Sequence, residues 1–372
     1  MSQRLFIGKG SIGNLDAILK EQAPKALLLV RGKESYAGCG AKGYIEPILS
    51  EAGIAVTVFS DFKGNPQIED AYRGIALLRE HPCDLILAVG GGSVMDMAKL
   101  IRFFDAFEGS IDAPEFMQTK EIIPLIVVPT TAGTGSEATR FAVVYRDHIK
   151  YSVDHPAILP EVAIVDPVFT YHADPYLTAC TGFDALAQAI EAFWSVKATA
   201  ESDNYAEKAI QLLWKALPEV IRTESEAARD ALSLGAFYAG KAINTTRTTA
   251  PHAFSYPFTS YYGLPHGHAV AMTFPFFLEF NYVEERSQLN ATRTLEEHHQ
   301  KMDLLYEWLG IASKEDASGV MNRFLTSIGL SRKLPEAFDK HLIIDNVNLQ
   351  RLGNNPRLLT SEDIALLFAY WL

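Results

Sequence analysis

Two groups of polar residues stand inside apolar sequence in the second half of the chain. In GFDALAQAIEAFWS, Asp184 and Gln188 are four apart. They therefore share one face of a helix, among Phe183, Leu186, Ile190, Phe193 and Trp194. A carboxylate in such surroundings needs a partner or a metal. The second group, APHAFSYPFTSYYGLPHGHAV, holds His252, His266 and His268 among aromatics, prolines and glycines. One Asp and two His supply three ligands with an open position, as a catalytic divalent site requires. A second reading stays open on the residues alone: histidines buried and satisfied by backbone carbonyls. His268 reads that way.

Two glycine loops point to a second ligand. Asp84–Lys99, DLILAVGGGSVMDMAK, reads as a buried strand, then Gly90, Gly91 and Gly92, then a helix opened by Ser93. Glycines let a ligand approach the backbone, and the first N–H groups of a helix favour an anion such as pyrophosphate. Glu121–Thr139, EIIPLIVVPTTAGTGSEAT, runs a second apolar strand into Thr130, Thr131, Gly133, Thr134, Gly135 and Ser136. Open α/β sheets bind ligands at the carboxyl ends of their strands. Two such loops suggest one long ligand, a dinucleotide, although the G-x-G-x-x-G spacing is absent. The alternatives are a packing turn and a threonine-rich turn that satisfies its own backbone.

These residues need elements to hold them. Apolar runs at Ala26–Val30, Ala55–Phe59, Leu85–Val89 and Ile122–Val128 read as strands. Asn65-Pro66 reads as the start of a helix whose apolar face is Ile68, Ala71, Tyr72, Ile75 and Leu78. The alternation predicts a mostly parallel sheet with helices on its faces. After Asp166-Pro167 no strand pattern follows. Gly182–Ser195, Tyr205–Ala216, Ala227–Lys241 and Met302–Leu309 read as helices, and Thr360 with Asp363 as an N-cap. The expectation is an α/β dinucleotide-binding domain over residues 1–173 and an all-helical metal- and substrate-binding domain over 174–372. The cleft between two domains is the expected ligand site.

Composition narrows the class. The chain has 372 residues, about two domains. Its formal charge of −12 argues against nucleic acid and anionic membrane surfaces. Cys39, Cys83 and Cys180 are scattered, with no CxxC pair. That fits a reducing compartment and gives no thiolate zinc site. The N-terminus lacks a signal-peptide core and no apolar run reaches transmembrane length. The expectation is a cytoplasmic protein.

Over nearly its whole length the chain resembles the iron-dependent (group III) alcohol dehydrogenases. The matching stretches are GGGSVMDMAK, PTTAGTGSEAT, IVDPVFT, GFDALAQAIEAFWS, PHAFSYPFTSYYGLPHGHAVAMTFP and NNPRLLTSEDI. The resemblance implies the dehydroquinate synthase-like fold, a nucleotide (NADP or NAD), a divalent metal and a homodimer. It implies Asp184, His252 and His266 as metal ligands and as the catalytic centre. It places Gly91, Gly92, Ser93 and Asp96 on the pyrophosphate, Thr130, Thr131 and Thr134 on the adenosine and ribose, and Lys150 on the nicotinamide ribose. The metal would activate an aldehyde toward hydride from the reduced nicotinamide.

Three positions depart from the family pattern. Gln188 stands where a third ligand histidine is usual. An amide oxygen is a harder, weaker ligand than imidazole and suits Fe²⁺, Mn²⁺ or Mg²⁺ better than Zn²⁺; Fe²⁺ is expected first, with Zn²⁺ or Mn²⁺ as alternatives. Tyr256 stands where the family often has a histidine near the substrate; it is either a donor or a space-filler. Gly32 stands where NAD-preferring members carry an Asp. Arg31, Lys33 and Ser35 surround it, so NADPH is expected to serve at least as well as NADH.

The run KAINTTRTTAPHAFSYPFTSYYGLPHGHAVA most resembles the phosphonoacetaldehyde reductase group, which reduces phosphonoacetaldehyde to 2-hydroxyethylphosphonate. Arg247, five residues before His252, is the expected clamp for a phosphonate, with Arg140 as a second candidate. The alternative is a structural pairing of Arg247 with a carboxylate such as Glu191. Rival functions are a general short-chain alcohol or lactaldehyde-type dehydrogenase, a cyclase or lyase resembling dehydroquinate synthase, and a nucleotide-binding protein with a degenerate metal site.

Overall fold

The computed structural model describes residues 3–147, 149–223, 225–334 and 338–370. The chain divides into two compact units, Met1–Ala173 and Asp174–Leu372. Among the described residues the first unit carries ten strands: β1 (Arg4–Ile7), β2 (Ala26–Arg31), β3 (Ala55–Phe59), β4 (Leu85–Gly90), β5 (Phe107–Ser110), β6 (Ala113–Gln118), β7 (Leu125–Pro129), β8 (Phe141–Arg146), β9 (Ile149–Asp154) and β10 (Val162–Val165). Its helices are α1 (Asn14–Gln22), α2 (Ser35–Gly38), α3 (Ala41–Glu51), α4 (Ile68–Glu80) and α5 (Gly92–Ala106).

Six strands form one sheet in the order β1-β10-β7-β4-β2-β3, every neighbouring pair parallel. Side chains alternate between its faces. Leu27, Leu29, Leu87 and Ile126 pack under α1 and α3, while Leu28, Val30, Ile86 and Val127 pack under α4 and α5. Strands covered on both faces must be apolar throughout, which is why these runs are legible. The chain goes from β2 outward to β3 and returns to β4 on the other side of β2. The loop after β4 therefore leaves the sheet where the strand order reverses.

Two expectations are corrected here. Residues 65–67 do not start a helix; α4 begins at Ile68 with Gln67 as its N-cap. The Pro66 carbonyl accepts from the Tyr145 N–H, and Gln67 bridges to Tyr145, so this segment is drawn out along β8. The strand expected from Ile122 begins only at Leu125. Pro124 has no N–H to give a ladder and enters it only through its carbonyl, which accepts from Ile86. The parallel pattern also hid two antiparallel hairpins, β5–β6 and β8–β9.

The second unit is built of helices: α6 (Pro175–Trp194), α7 (Ala200–Thr223), α8 (Glu226–Thr246), α9 (Ala250–Tyr262), α10 (His266–Ala271), α11 (Phe274–Phe280), α12 (Leu295–Leu309), α13 (Lys314–Ser327), α14 (Lys340–Ile344), α15 (Leu349–Leu352) and α16 (Ser361–Ala369). Among the described residues its one β feature is a bridge between Leu289 and Arg357. α6 starts a full two turns before the predicted Gly182, because Asp174 caps the N–H groups of Tyr176 and Leu177 and Pro175 fits the first turn. Thr360 and Asp363 form a capping box on α16. No described helix is long and apolar enough to cross a membrane.

His298, on α12, is fully buried and hydrogen-bonds through Nε2 to the Asn281 carbonyl at 2.8 Å. Burial pushes its pKa down to about 4. Between about pH 6.5 and 4 the unfolded chain therefore holds a proton that the folded chain does not. Stability is fully present above pH 6.5 and falls as pH drops through this window, by about 3 kcal/mol in all. His298→Asn, which keeps an N–H donor but cannot titrate, is expected to lose less stability than the parent between pH 7 and 5. Urea unfolding at both pH values checks this, and parallel losses in the two proteins would count against it.

Candidate functional site

The first glycine loop and the second leave adjacent strands, since Gly90 of β4 is in register with Pro129 of β7. They interlock. The Thr130 N–H donates to the Gly90 carbonyl, and a Cβ on Gly92 would lie 2.6 Å from the Thr134 methyl. Only glycine fits there. No side chain caps α5, whose N-cap is Gly91. Its first N–H groups have no intrahelical acceptor and suit an anion from outside the chain. Arg31 is in register with Val89, so Gly32 and Lys33 follow the next strand at the same edge. The structure thus brings Gly32, Lys33, Gly91, Gly92, Ser93, Thr130, Thr131 and Thr134 to the carboxyl edge of one sheet.

Asp96 and Lys99 hold the second loop from α5. The Asp96 carboxylate accepts from Ser136 Oγ at 2.6 Å and the Val143 N–H at 3.0 Å. Burial pushes its pKa up, against the charges of Lys99 and Lys150 and these two hydrogen bonds. Asp96 therefore reaches the loop and the β8–β9 hairpin that carries Lys150. Lys99 is fully buried. Its ammonium donates to the carbonyls of Ser136, Thr139 and Phe141 and to both hydroxyls, at 2.5–3.1 Å. A buried cation is tolerable only with such a set of acceptors. The sequence reading missed Lys99. Its signal is a lysine set mid-helix between apolar neighbours, Met97 and Ala98 before it and Leu100 and Ile101 after it. Arg140 lies at the start of the same hairpin and pairs with Asp154 at 3.0 Å.

In the second unit Asp184, His252 and His266 converge. One ligand atom from each lies within 4.8 Å of the other two. Asp184 Oδ1 is 3.1 Å from His252 Nε2 and 3.9 Å from His266 Nε2. Asp184 and His252 are buried, and His266 is 29% exposed at its side chain. The approach of α10 to α6 requires Gly267: a Cβ there would stand 1.8 Å from the Cys180 carbonyl oxygen. Any larger residue would push His266 away from Asp184. His268 faces other partners, Tyr176 Oη at 2.7 Å and the Ser331 carbonyl at 2.6 Å. It is the satisfied histidine. Tyr256 stacks on the His266 ring at 6.2 Å between centroids.

Glu191 completes this cluster and was not recognised as part of it. It is fully buried and shares a face of α6 with Asp184 and Gln188, at i, i+4 and i+7. That polar stripe in an apolar helix was the available signal. Glu191 Oε2 accepts from His252 Nδ1. Oε1 accepts from the Thr249 N–H and hydroxyl, both at 2.9 Å, and Trp194 Nε1 donates to that hydroxyl at 2.9 Å. Both Glu191 oxygens are thus engaged by Thr249 and His252. Burial disfavours charge on His252, but Glu191 and Asp184 outweigh it and bring its pKa up to about 9. With Nδ1 committed to Glu191, Nε2 is the nitrogen turned to Asp184.

The donor set fits a divalent cation: one carboxylate oxygen, two imidazole nitrogens, and a carboxylate behind one imidazole that fixes its tautomer. Gln188 adds a buried oxygen, Oε1, with no hydrogen-bond partner. Five residues before His252, Arg247 closes α8 at φ 63° and ψ 176°, a backbone that a residue with a Cβ adopts only under strain.

Known proteins match the chain over most of its length. A family model described as iron-containing alcohol dehydrogenase matches residues 2–167, and one described as the C-terminal part of the Fe-containing alcohol dehydrogenase family matches 178–371. Long-chain-alcohol dehydrogenase 1 of Geobacillus thermodenitrificans is 30% identical, over 97% of this chain and 93% of its own. NAD-dependent methanol dehydrogenase of Bacillus methanolicus is 28% identical, over 96% and 95%. The crystal structure of sulfoacetaldehyde reductase from Bifidobacterium kashiwanohense in complex with NAD⁺ is similar at a TM-score of 0.85 and 27% identity, over 99% of this chain and 96% of that one.

Proposed function

The chain belongs to the iron-containing alcohol dehydrogenase family, and on that premise we propose that it reduces small aldehydes bearing an anionic group, phosphonoacetaldehyde foremost. The observation that carries the reading is the convergence of Asp184, His252 and His266 with Glu191 behind them. Asp184, His252 and His266 would hold the metal, Fe²⁺ before Zn²⁺ or Mn²⁺. A divalent ion there supplies Lewis-acid polarisation of the aldehyde, and reduced nicotinamide supplies the hydride. Glu191 keeps the His252 Nδ1 proton in place and so aims Nε2. Gly91, Gly92 and Ser93 take the pyrophosphate, Thr130, Thr131 and Thr134 the adenosine side, and Lys150 the nicotinamide ribose.

Arg247 is the proposed clamp for the anionic group. Two observations support it. Its strained backbone is the kind of feature retained for function. The similar sulfoacetaldehyde reductase also has, by its name, a two-carbon aldehyde with an anionic head. Arg140, paired with Asp154, is the weaker candidate. Gly32 supports use of NADPH. The place a Cβ would take at Gly32 is filled by Ser35 Oγ, 2.0 Å away, so no acidic side chain is accommodated there without moving Ser35.

A substrate panel tests the reading. The purified protein is expected to reduce phosphonoacetaldehyde with a kcat/KM about a hundredfold above that for propanal, the worth of one well-placed charge pair, and to accept NADPH at least as well as NADH. A preference for propanal would favour a general short-chain dehydrogenase, the activity class that the methanol dehydrogenase relative represents. A clear preference for NADH would remove the nucleotide part alone.

A further inference from the structure

We propose that Gln188 is an oxygen-donor ligand of the metal, so that this centre has two hard oxygen ligands and two imidazoles. The inference rests on the metal reading above. Gln188 is 5% exposed and lies on the buried face of α6 one turn after Asp184. Its Nε2 donates to Asp184 Oδ2 at 3.1 Å. A carboxylate can only accept, so the amide must present its nitrogen to Asp184. That fixes the amide orientation and puts Oε1 on the other arm. Oε1 is buried and has no hydrogen-bond partner. A buried carbonyl oxygen left so is costly, and native proteins rarely leave one. Meanwhile the other Asp184 oxygen, Oδ1, is the one near His252 and His266. One side chain thus holds the Asp184 carboxylate in orientation and keeps a free lone pair beside it.

The chemistry of that donor sets the metal preference. A neutral amide oxygen is harder than imidazole and donates less charge. Exchanging a nitrogen for it lowers affinity for Zn²⁺ more than for Mn²⁺ or Fe²⁺. The centre is therefore one that holds its ion loosely and discriminates against Zn²⁺ less by geometry than by ligand softness.

The test separates a ligand from a residue that merely orients Asp184, because the two roles respond oppositely to one substitution. Gln188→Glu gives an anionic oxygen ligand but removes the amide donor from Asp184. The full-length protein is stripped with a chelator, and Mn²⁺ alone is titrated by electron paramagnetic resonance. For a ligand role, Gln188→Glu tightens Mn²⁺ binding about tenfold, following ligand charge. For an orienting role alone, it weakens binding through repulsion of Asp184, and that result, or no change, overturns the proposal. Gln188→His is the second variant, needed if the carboxylate disturbs folding. It is expected to raise the Zn²⁺ to Mn²⁺ affinity ratio about tenfold or more, and an unchanged ratio counts against the proposal. Mn²⁺ binding that is equal in the parent and in His266→Ala would remove the metal site itself, and with it both readings.

Discussion

His266→Ala is expected to abolish turnover while the protein stays folded. The reason lies in the unequal burial of the three converging side chains. His252 stands between Glu191 and Asp184 in the interior. Removing it would leave two carboxylates facing one another in a buried space, a destabilising change of about 3–5 kcal/mol. Loss of activity in that variant would say little about chemistry. Asp184 is equally buried, holds Gln188 and His252, and suffers the same ambiguity. His266 is on α10 near its N-terminus and 29% exposed at its side chain, so water fills the space it leaves. Losing a metal ligand forfeits Lewis-acid stabilisation of several kcal/mol. At 1.36 kcal/mol per factor of ten, turnover should fall about a thousandfold or more. The checks are metal content by mass spectrometry, thermal melting and kcat. Normal turnover of His266→Ala in metal-free buffer would end the metal reading.

Arg247→Ala is expected to lower kcat/KM for phosphonoacetaldehyde about ten- to a hundredfold and to leave propanal nearly unchanged. A charged hydrogen-bond pair is worth about 1.5–3 kcal/mol, which converts to that range. Only a substrate with the anionic handle can lose it. The backbone supplies an independent control. At φ 63° the Cβ is the source of strain, and alanine keeps it while glycine removes it. Arg247→Gly should therefore match Arg247→Ala in kinetics and exceed it in stability by about 1 kcal/mol. Equal losses on both aldehydes would mark a structural arginine. A glycine variant that is the less stable of the two would show that the turn does not strain a side-chain-bearing residue.

Four strands of the main sheet (β2, β3, β4 and β7), the helical character of the second half and the glycine loops are legible in the sequence, whereas β1 and β10, each only four residues long, were not read. Each legible feature depends on residues close together along the chain. A continuous apolar run such as Leu85–Val89 states burial on both faces, and the four-residue spacing of Asp184 and Gln188 states a shared helix face. Local signals failed where a distant element intervened. Pro66 looked like a helix start, but β8 draws it into an extended pairing some 80 residues on in sequence, through the Tyr145 N–H. The hairpins were hidden because β8 and β9 lack the fully buried apolar run of β4 or β7.

What only the tertiary structure decided is which polar groups meet. Asp184 and the histidines were candidates from their residue types, but their convergence depends on Gly267 lying against the Cys180 carbonyl. Glu191 was named only as a structural partner for Arg247 until the fold placed it on His252, 61 positions away. Lys99 was one lysine in a helix until its ammonium was found among acceptors 37 to 42 positions further along. Helix and strand periodicities repeat over a few residues, so the sequence writes them out. A buried charge is satisfied by whatever the packing brings to it, and the packing is fixed only by the whole chain.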